Sequence, residues 1–124
     1  CWKDTRMDIT GVDFSISAIK EAKNNLPTGK FIVADLTDVP LNDKFDTIVL
    51  SGIINYYPDL LKIRQQVLKL IKDTGKVIIT INVIKDFPDR EWNRQTIVEE
   101  FNQWGKIKEV NFYPKIGWLI EVAR

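Results

Sequence analysis

Three polar residues stand where apolar runs stop: Asp13 closes ITGVD, Asp35 follows FIVA and Ser51 follows FDTIVL. A carboxylate at the end of a strand, just ahead of a helix, can accept hydrogen bonds from the two adjacent hydroxyls of a ribose, so Asp13 is a candidate ribose contact. Its other reading is that it shapes the turn into the helix and shares capping with Ser15. Asp35 and Ser51 end two further runs, and loops leaving the carboxyl ends of neighbouring parallel strands enclose a crevice, so both are expected to look into one pocket. The competing readings are an Asx-turn acid for Asp35 and a strand-end cap for Ser51. The sequence has no histidine, which removes the commonest general base, serine-histidine chemistry and any histidine-based metal site. No metal is expected. Tyr56, Asp59 and Glu91 are bases by rough position only, and none is assigned a catalytic role.

Elements that hold these residues follow from the hydrophobic pattern. Met7 to Val12 reads as a short strand, and Ser15 offers an N-cap to a helix whose face is Ile16, Ile19, Ala22, Lys23 and Leu26. Pro27 and Gly29 stop that helix, Phe31 to Ala34 is a second strand, and Asp35 to Lys44 is a polar connection containing Pro40. Phe45 to Leu50 is a third strand. Asp59 to Ile71, after Pro58, is an amphipathic helix ended by Asp73-Thr74-Gly75, with Gly75 suited to a left-handed turn. Lys76 to Val83 is a fourth strand, long enough and rich enough in β-branched residues to be central. Asp86 to Arg90 reads as a loop and Arg94 to Trp104 as a last helix. Lys106 to Tyr113 and Trp118 to Val122 are strands whose short link, Pro114 to Gly117, forces an antiparallel pair. The aromatic residues Trp92, Phe101, Trp104, Phe112 and Trp118 fit helix or strand periodicity, which favours packing over a substrate cage. Alternation of strand and helix predicts an α/β fold: a Rossmann-like mixed sheet with helices on both faces and a C-terminal antiparallel strand pair.

A chain of 124 residues suits one domain, here 1–124. Hydrophobic residues at 44% and charged residues at 28% match a globular protein. Eighteen basic and seventeen acidic residues leave a formal charge of +1, so no global field favours nucleic acid or anionic lipid. No apolar run approaches the ~20 residues of a membrane span. The single cysteine, Cys1, cannot form an internal disulfide, and a cytoplasmic location is expected.

The segments ITGVDFSISAIKEAK, FIVADLTDVPLNDKFDTIVLSGIINYY and LLKIRQQVLKLIKDTGKVIITI, followed by the closing hairpin, resemble the class I S-adenosylmethionine-dependent methyltransferases, from about Ile9 to Ala123. That resemblance implies S-adenosylmethionine as cofactor, S-adenosylhomocysteine as product and methyl transfer to an unidentified acceptor. It implies Asp13 at the ribose and Phe14 beside the adenine. Asp35 would accept from the adenine amino group, and Leu36 would offer its backbone N–H to the ring. Ser51 and Gly52 would lie beside the methionine part and the transferring methyl, while Gly75 holds a structural turn. A sulfonium cation is attracted by aromatic faces, so Tyr56 and Tyr57 are candidates to wall that end, or else pack against the next helix.

The chain departs from the family at its start. A glycine-rich loop after the family's first strand is expected to approach the methionine carboxylate, yet CWKDTRMD contains no glycine and resembles the end of the following helix. The family's first strand is thus expected to be absent from the chain, as in a partial domain of a longer protein. It would leave two unpaired strand edges, open to strand exchange or homo-oligomer formation. The isolated chain is accordingly expected to bind cofactor weakly or not at all and to be inactive. Two rivals are a non-catalytic interaction protein on the methyltransferase fold and a nicotinamide-dependent oxidoreductase, which also ends its second strand in a ribose-binding acid.

Overall fold

A computed structural model of the chain describes residues 7–57, 59–82 and 92–124. It divides into two compact units, Cys1–Leu41 and Asn42–Arg124.

In the first unit, β1 (Thr10–Asp13) leads through Ser15 into α1 (Ile16–Asn25) and then β2 (Lys30–Val33). The two strands pair in parallel, Thr10 with Lys30 through Asp13 with Val33, so both carboxyl ends lie on one edge. Ser15 caps α1 as predicted, its side chain accepting from the Ala18 N–H at 3.2 Å. Ile19 is buried, but Ile16, assigned by periodicity to the inner face, is 74% exposed because it stands in the first turn, off the end of the sheet-facing stripe. A short 3-10 turn, Leu36–Asp38, follows β2.

In the second unit, β3 (Phe45–Ser51), α2 (Leu61–Leu70), β4 (Ile71–Asn82), α3 (Arg94–Phe101), β5 (Lys106–Tyr113) and β6 (Gly117–Ala123) build a four-stranded sheet of order β3-β4-β6-β5. The β3–β4 pair is parallel, and β6 is antiparallel to both β4 and β5, so the predicted mixed sheet with its terminal hairpin is present. Alternation along β4 places Val77, Ile79 and Ile81 on one face, paired with Val122, Ile120 and Trp118. That face belongs to a core that includes Ile63, Val67 and Leu70 of α2 and Ile97, Phe101 and Trp104 of the last helix and its exit turn. The opposite face is half-open: Val49 is 41% exposed, and Lys76 and Glu121 form an ion pair across it at 3.5 Å.

Several boundaries differ from the sequence expectation. α2 ends at Leu70, because the buried Ile71 already pairs with Phe45 as the first residue of β4. Residues 72–75 then bulge before pairing resumes at Thr47 with Lys76. Gly75 does not take the expected left-handed conformation. Its role is close approach instead, since a Cβ there would meet Ile71 side-chain carbons at 2.7 Å and the Asp46 carbonyl oxygen at 2.9 Å. α3 closes at Phe101, three residues earlier than predicted, and Trp104 lies in a turn yet is only 2% exposed. Val83, the Asp86 to Arg90 loop, Glu91 and Pro58 lie outside the described residues. Among the described residues, β1 pairs on one side only, with β2, and β3 on one side only, with β4.

Candidate functional site

The first unit presents Asp13 and Asp35 at the carboxyl ends of adjacent parallel strands, where Ala34 N–H donates to the Asp13 carbonyl at 3.0 Å. Asp13 Oδ1 accepts the Ser15 N–H at 2.8 Å, which is the turn-shaping role weighed from the sequence. That bond occupies one oxygen; among the described residues Oδ2 makes no hydrogen bond and is available to a hydroxyl donor. The carboxylate is therefore both anchored and open. Phe14 follows, 70% exposed, a large apolar surface beside the acid. Asp35 is the N-cap of the 3-10 turn: its Oδ1 accepts the Thr37 N–H at 2.9 Å and the Thr37 hydroxyl at 2.8 Å. Leu36, first residue of that turn, has an N–H with no partner inside the turn. An anchored carboxylate followed by an N–H that the turn does not use offers an acceptor and a donor in consecutive residues, the pairing that an aminated heterocycle edge requires.

The second unit holds Ser51 and Gly52. Ser51 ends β3 opposite Thr80 and is exposed. Gly52 has φ +65 and turns the chain back over β4, its N–H shared between the Thr80 carbonyl at 3.1 Å and the Thr80 hydroxyl at 2.9 Å. A left-handed backbone is why glycine stands here. Tyr56 is 61% exposed and Tyr57 half-buried, so the loop after β3 shows at least one aromatic ring to solvent. Asp59, one of the three rough candidates for a base, accepts the Leu61 N–H at 2.9 Å in the turn just ahead of α2.

Sequence reasoning missed a set of residues at the end of β4. The Asn55 side chain accepts from Trp92 Nε1 at 2.9 Å and donates to the Asn82 carbonyl at 3.5 Å, tying the β3 exit loop to the residues on either side of the 83–91 connection. The Asn82 amide lies against Gly52, 2.8 Å from where a Cβ would stand. A cavity of about 190 Å³ opens beside these residues, lined by Thr80, Asn82, Tyr113, Ile116, Trp118 and neighbouring backbone. The available signal was the alternation ITIN, which leaves Thr80 and Asn82 as polar residues on one face at the carboxyl end of an apolar strand. Of the five aromatic residues assigned to packing, Phe101 and Trp104 are buried with ring centroids 5.1 Å apart, and Trp92 stacks on Phe101 at 5.9 Å. Phe112 and Trp118 contact each other at 4.7 Å, with Phe112 47% exposed. Among the described residues there is no cluster of three or more metal-ligating side chains, and no helix is long and apolar enough to cross a membrane.

A family model described as a methyltransferase domain matches residues 3–118. The chain belongs to this methyltransferase family. A demethylmenaquinone methyltransferase of Thermotoga maritima is 28% identical over 78 residues, covering 62% of this chain and 34% of the relative. The chain thus spans about a third of the length of the curated relatives it matches. Solved structures agree on the fold. A SAM-dependent methyltransferase from Aquifex aeolicus aligns with a TM-score of 0.78 at 13% identity, covering 95% of this chain and 69% of that one. The N-methyltransferase NodS from Bradyrhizobium japonicum WM9, in complex with S-adenosyl-L-homocysteine, aligns with a TM-score of 0.76 at 14% identity, covering 94% and 66%. The Rossmann-like α/β reading of this methyltransferase domain is therefore the fold of its structural neighbours.

Proposed function

We propose that the protein takes part in S-adenosylmethionine-dependent methyl transfer, with S-adenosylhomocysteine as the product. The observation that carries this reading is the pair of anchored acids, Asp13 and Asp35, at the carboxyl edge of the β1–β2 parallel pair in a methyltransferase-family chain. Asp13 accepts from the ribose hydroxyls through Oδ2 while Ser15 holds Oδ1. Phe14 lies along the adenine face, and Asp35 and the Leu36 N–H meet the adenine edge as acceptor and donor. Ser51 and Gly52 contact the methionine portion, from the turn that the left-handed Gly52 makes at the end of β3.

When bound, S-adenosylmethionine supplies a methyl group on an activated sulfonium leaving group. The residues named above hold and orient; none is required to remove a proton for the displacement itself, so alignment is the principal contribution of the chain. Exposed Tyr56 presents a ring face that favours positive charge.

The backbone cradle for a methionine carboxylate is the part these residues do not provide: the ten residues before Gly11 contain no glycine, and all six glycines of the chain stand singly. The 124-residue chain by itself accordingly binds cofactor weakly or not at all and does not turn over. Calorimetric titration with S-adenosylmethionine and S-adenosylhomocysteine tests this. Weak binding that disappears in Asp13→Asn and Asp35→Asn variants is expected. Micromolar binding would contradict the need for a glycine-rich loop, and binding indifferent to both variants would remove the assignment of the acids. The one-sided pairing of β1 and of β3 supports a second reading for the same chain, strand pairing with another molecule, which sedimentation would reveal as a concentration-dependent dimer.

A further inference from the structure

The cavity at the end of β4 has a composition that the cofactor reading does not use. Among the described residues its lining is Thr80, Ile81, Asn82, Tyr113 and Ile116 to Leu119, all within the second unit. No aspartate, glutamate, lysine or arginine is among them. An ammonium or carboxylate entering here would lose hydration without gaining a counter-charge from these described residues, which disfavours charged ligands on this wall. The walls are instead ring and branched apolar groups. Ile116 at the turn is 70% exposed and Tyr113 46%, so apolar surface stands open at the mouth. The polar exceptions are few and neutral: the Thr80 hydroxyl, the Asn82 amide and the Tyr113 phenol. A few fixed polar groups in an apolar concavity orient a ligand without attracting charge.

Size narrows the ligand further. An apolar cavity of about 150 Å³ suffices for benzene. At about 190 Å³ this one takes a single six-membered ring bearing a small substituent.

The turn geometry makes the cavity a built feature. Gly117 has φ +140, and a Cβ there would strike the Ile81 carbonyl, so glycine lets β6 close onto β4 and brings Ile116 and Trp118 to the strand end. Position links it to the candidate site. Thr80 lines the cavity and at the same time receives the Gly52 N–H, and Asn82 lines it and lies against Gly52.

We propose that this cavity binds the ring of the methyl acceptor, and that the acceptor is an uncharged aromatic molecule of phenol type. The proposal rests on the methyltransferase reading and names the acceptor class for that site. In the transfer, an oxygen or ring-carbon lone or π pair of the acceptor forms the bond to the methyl carbon as the carbon–sulfur pair returns to sulfur, and the acceptor's proton leaves to water at the open mouth.

The test is a nuclear magnetic resonance titration of the 15N-labelled 124-residue chain with phenol, with benzoate as the charged ring of similar size. Phenol is expected to shift amides of residues 80–82 and 113–119, with benzoate at least tenfold weaker. Ile116→Asp should weaken phenol at least tenfold while leaving the remaining spectrum unchanged, because that side chain is mostly in solvent. Equal binding of benzoate, shifts spread over other exposed apolar residues such as Val33, or an Ile116→Asp variant that binds as before would each overturn the proposal. S-adenosylhomocysteine added to the same sample reads the cofactor assignment separately, at Asp13 and Asp35. Phenol binding without that response keeps the ring site and sinks the methyltransferase role; the converse overturns the ring site alone.

Discussion

Gly52→Ala isolates the physical reason for the turn at the end of β3. With φ +65 the residue sits in the left-handed region, which costs an L-residue about 1–2 kcal/mol. Replacing glycine also restricts the unfolded chain, returning about 0.4–1 kcal/mol. The added Cβ would stand 2.8 Å from Asn82 Nδ2, the far end of an exposed side chain that can swing away at little cost. The net expectation is a loss of about 1 kcal/mol, roughly a fivefold shift in the folding equilibrium. Urea unfolding followed by tryptophan fluorescence reads it as a lower midpoint with unchanged slope. Gly52→Asn carries the same Cβ but tolerates the left-handed backbone better, so it should cost less than alanine. Equal losses for alanine and asparagine would refute backbone strain as the cause and put the effect on the Asn82 contact. No loss for either would refute the geometry at Gly52 altogether.

Two further predictions concern the scaffold. Phe101→Ala, at a fully buried ring flanked by Trp92 and Trp104, should cost about 3–5 kcal/mol in urea unfolding, whereas Trp104→Phe should cost only about 1 kcal/mol, because Trp104 Nε1 is buried with no hydrogen-bond partner among the described residues and its loss leaves only a small void. Ser15→Ala removes the acceptor of the Ala18 N–H and should destabilise α1 by about 1 kcal/mol, seen as faster hydrogen exchange across residues 16–25 with the second unit unaffected.

Strand and helix order was legible in the sequence because the apolar runs are strong: KVIITIN is a continuous β-branched run that reads as a central strand, and the four-residue link at Pro114 to Gly117 leaves no alternative to a hairpin. Boundaries were less legible where tertiary contacts outrank local signals. The Asp73-Thr74-Gly75 triplet looks like a helix stop, yet Ile71 is claimed by the sheet and the triplet becomes a bulge inside a strand. Capping chemistry was readable at Ser15, a hydroxyl followed by a regular helical face, whereas the bond from the Leu61 N–H to Asp59 ahead of α2 was not anticipated. Of the candidate site, the acids at strand ends could be found because a carboxylate closing an apolar run is a local pattern. The Asn55–Trp92 bond and the Thr80–Gly52 bonds join residues 37 and 28 positions apart, and no local pattern announces them. The cavity at the end of β4 is of the same kind, assembled from that strand end and a turn more than thirty residues further along.

The central claim, that the strand-end residues of this methyltransferase-family chain recognise the cofactor, is tested most directly by titrating the 15N-labelled chain with S-adenosylhomocysteine and following individual amides. The account predicts weak, saturable shifts centred on Asp13, Phe14, Asp35, Leu36, Ser51 and Gly52, lost in the Asp13→Asn, Asp35→Asn double variant. Shifts that leave these six amides unmoved, or that persist unchanged in the double variant, would contradict it.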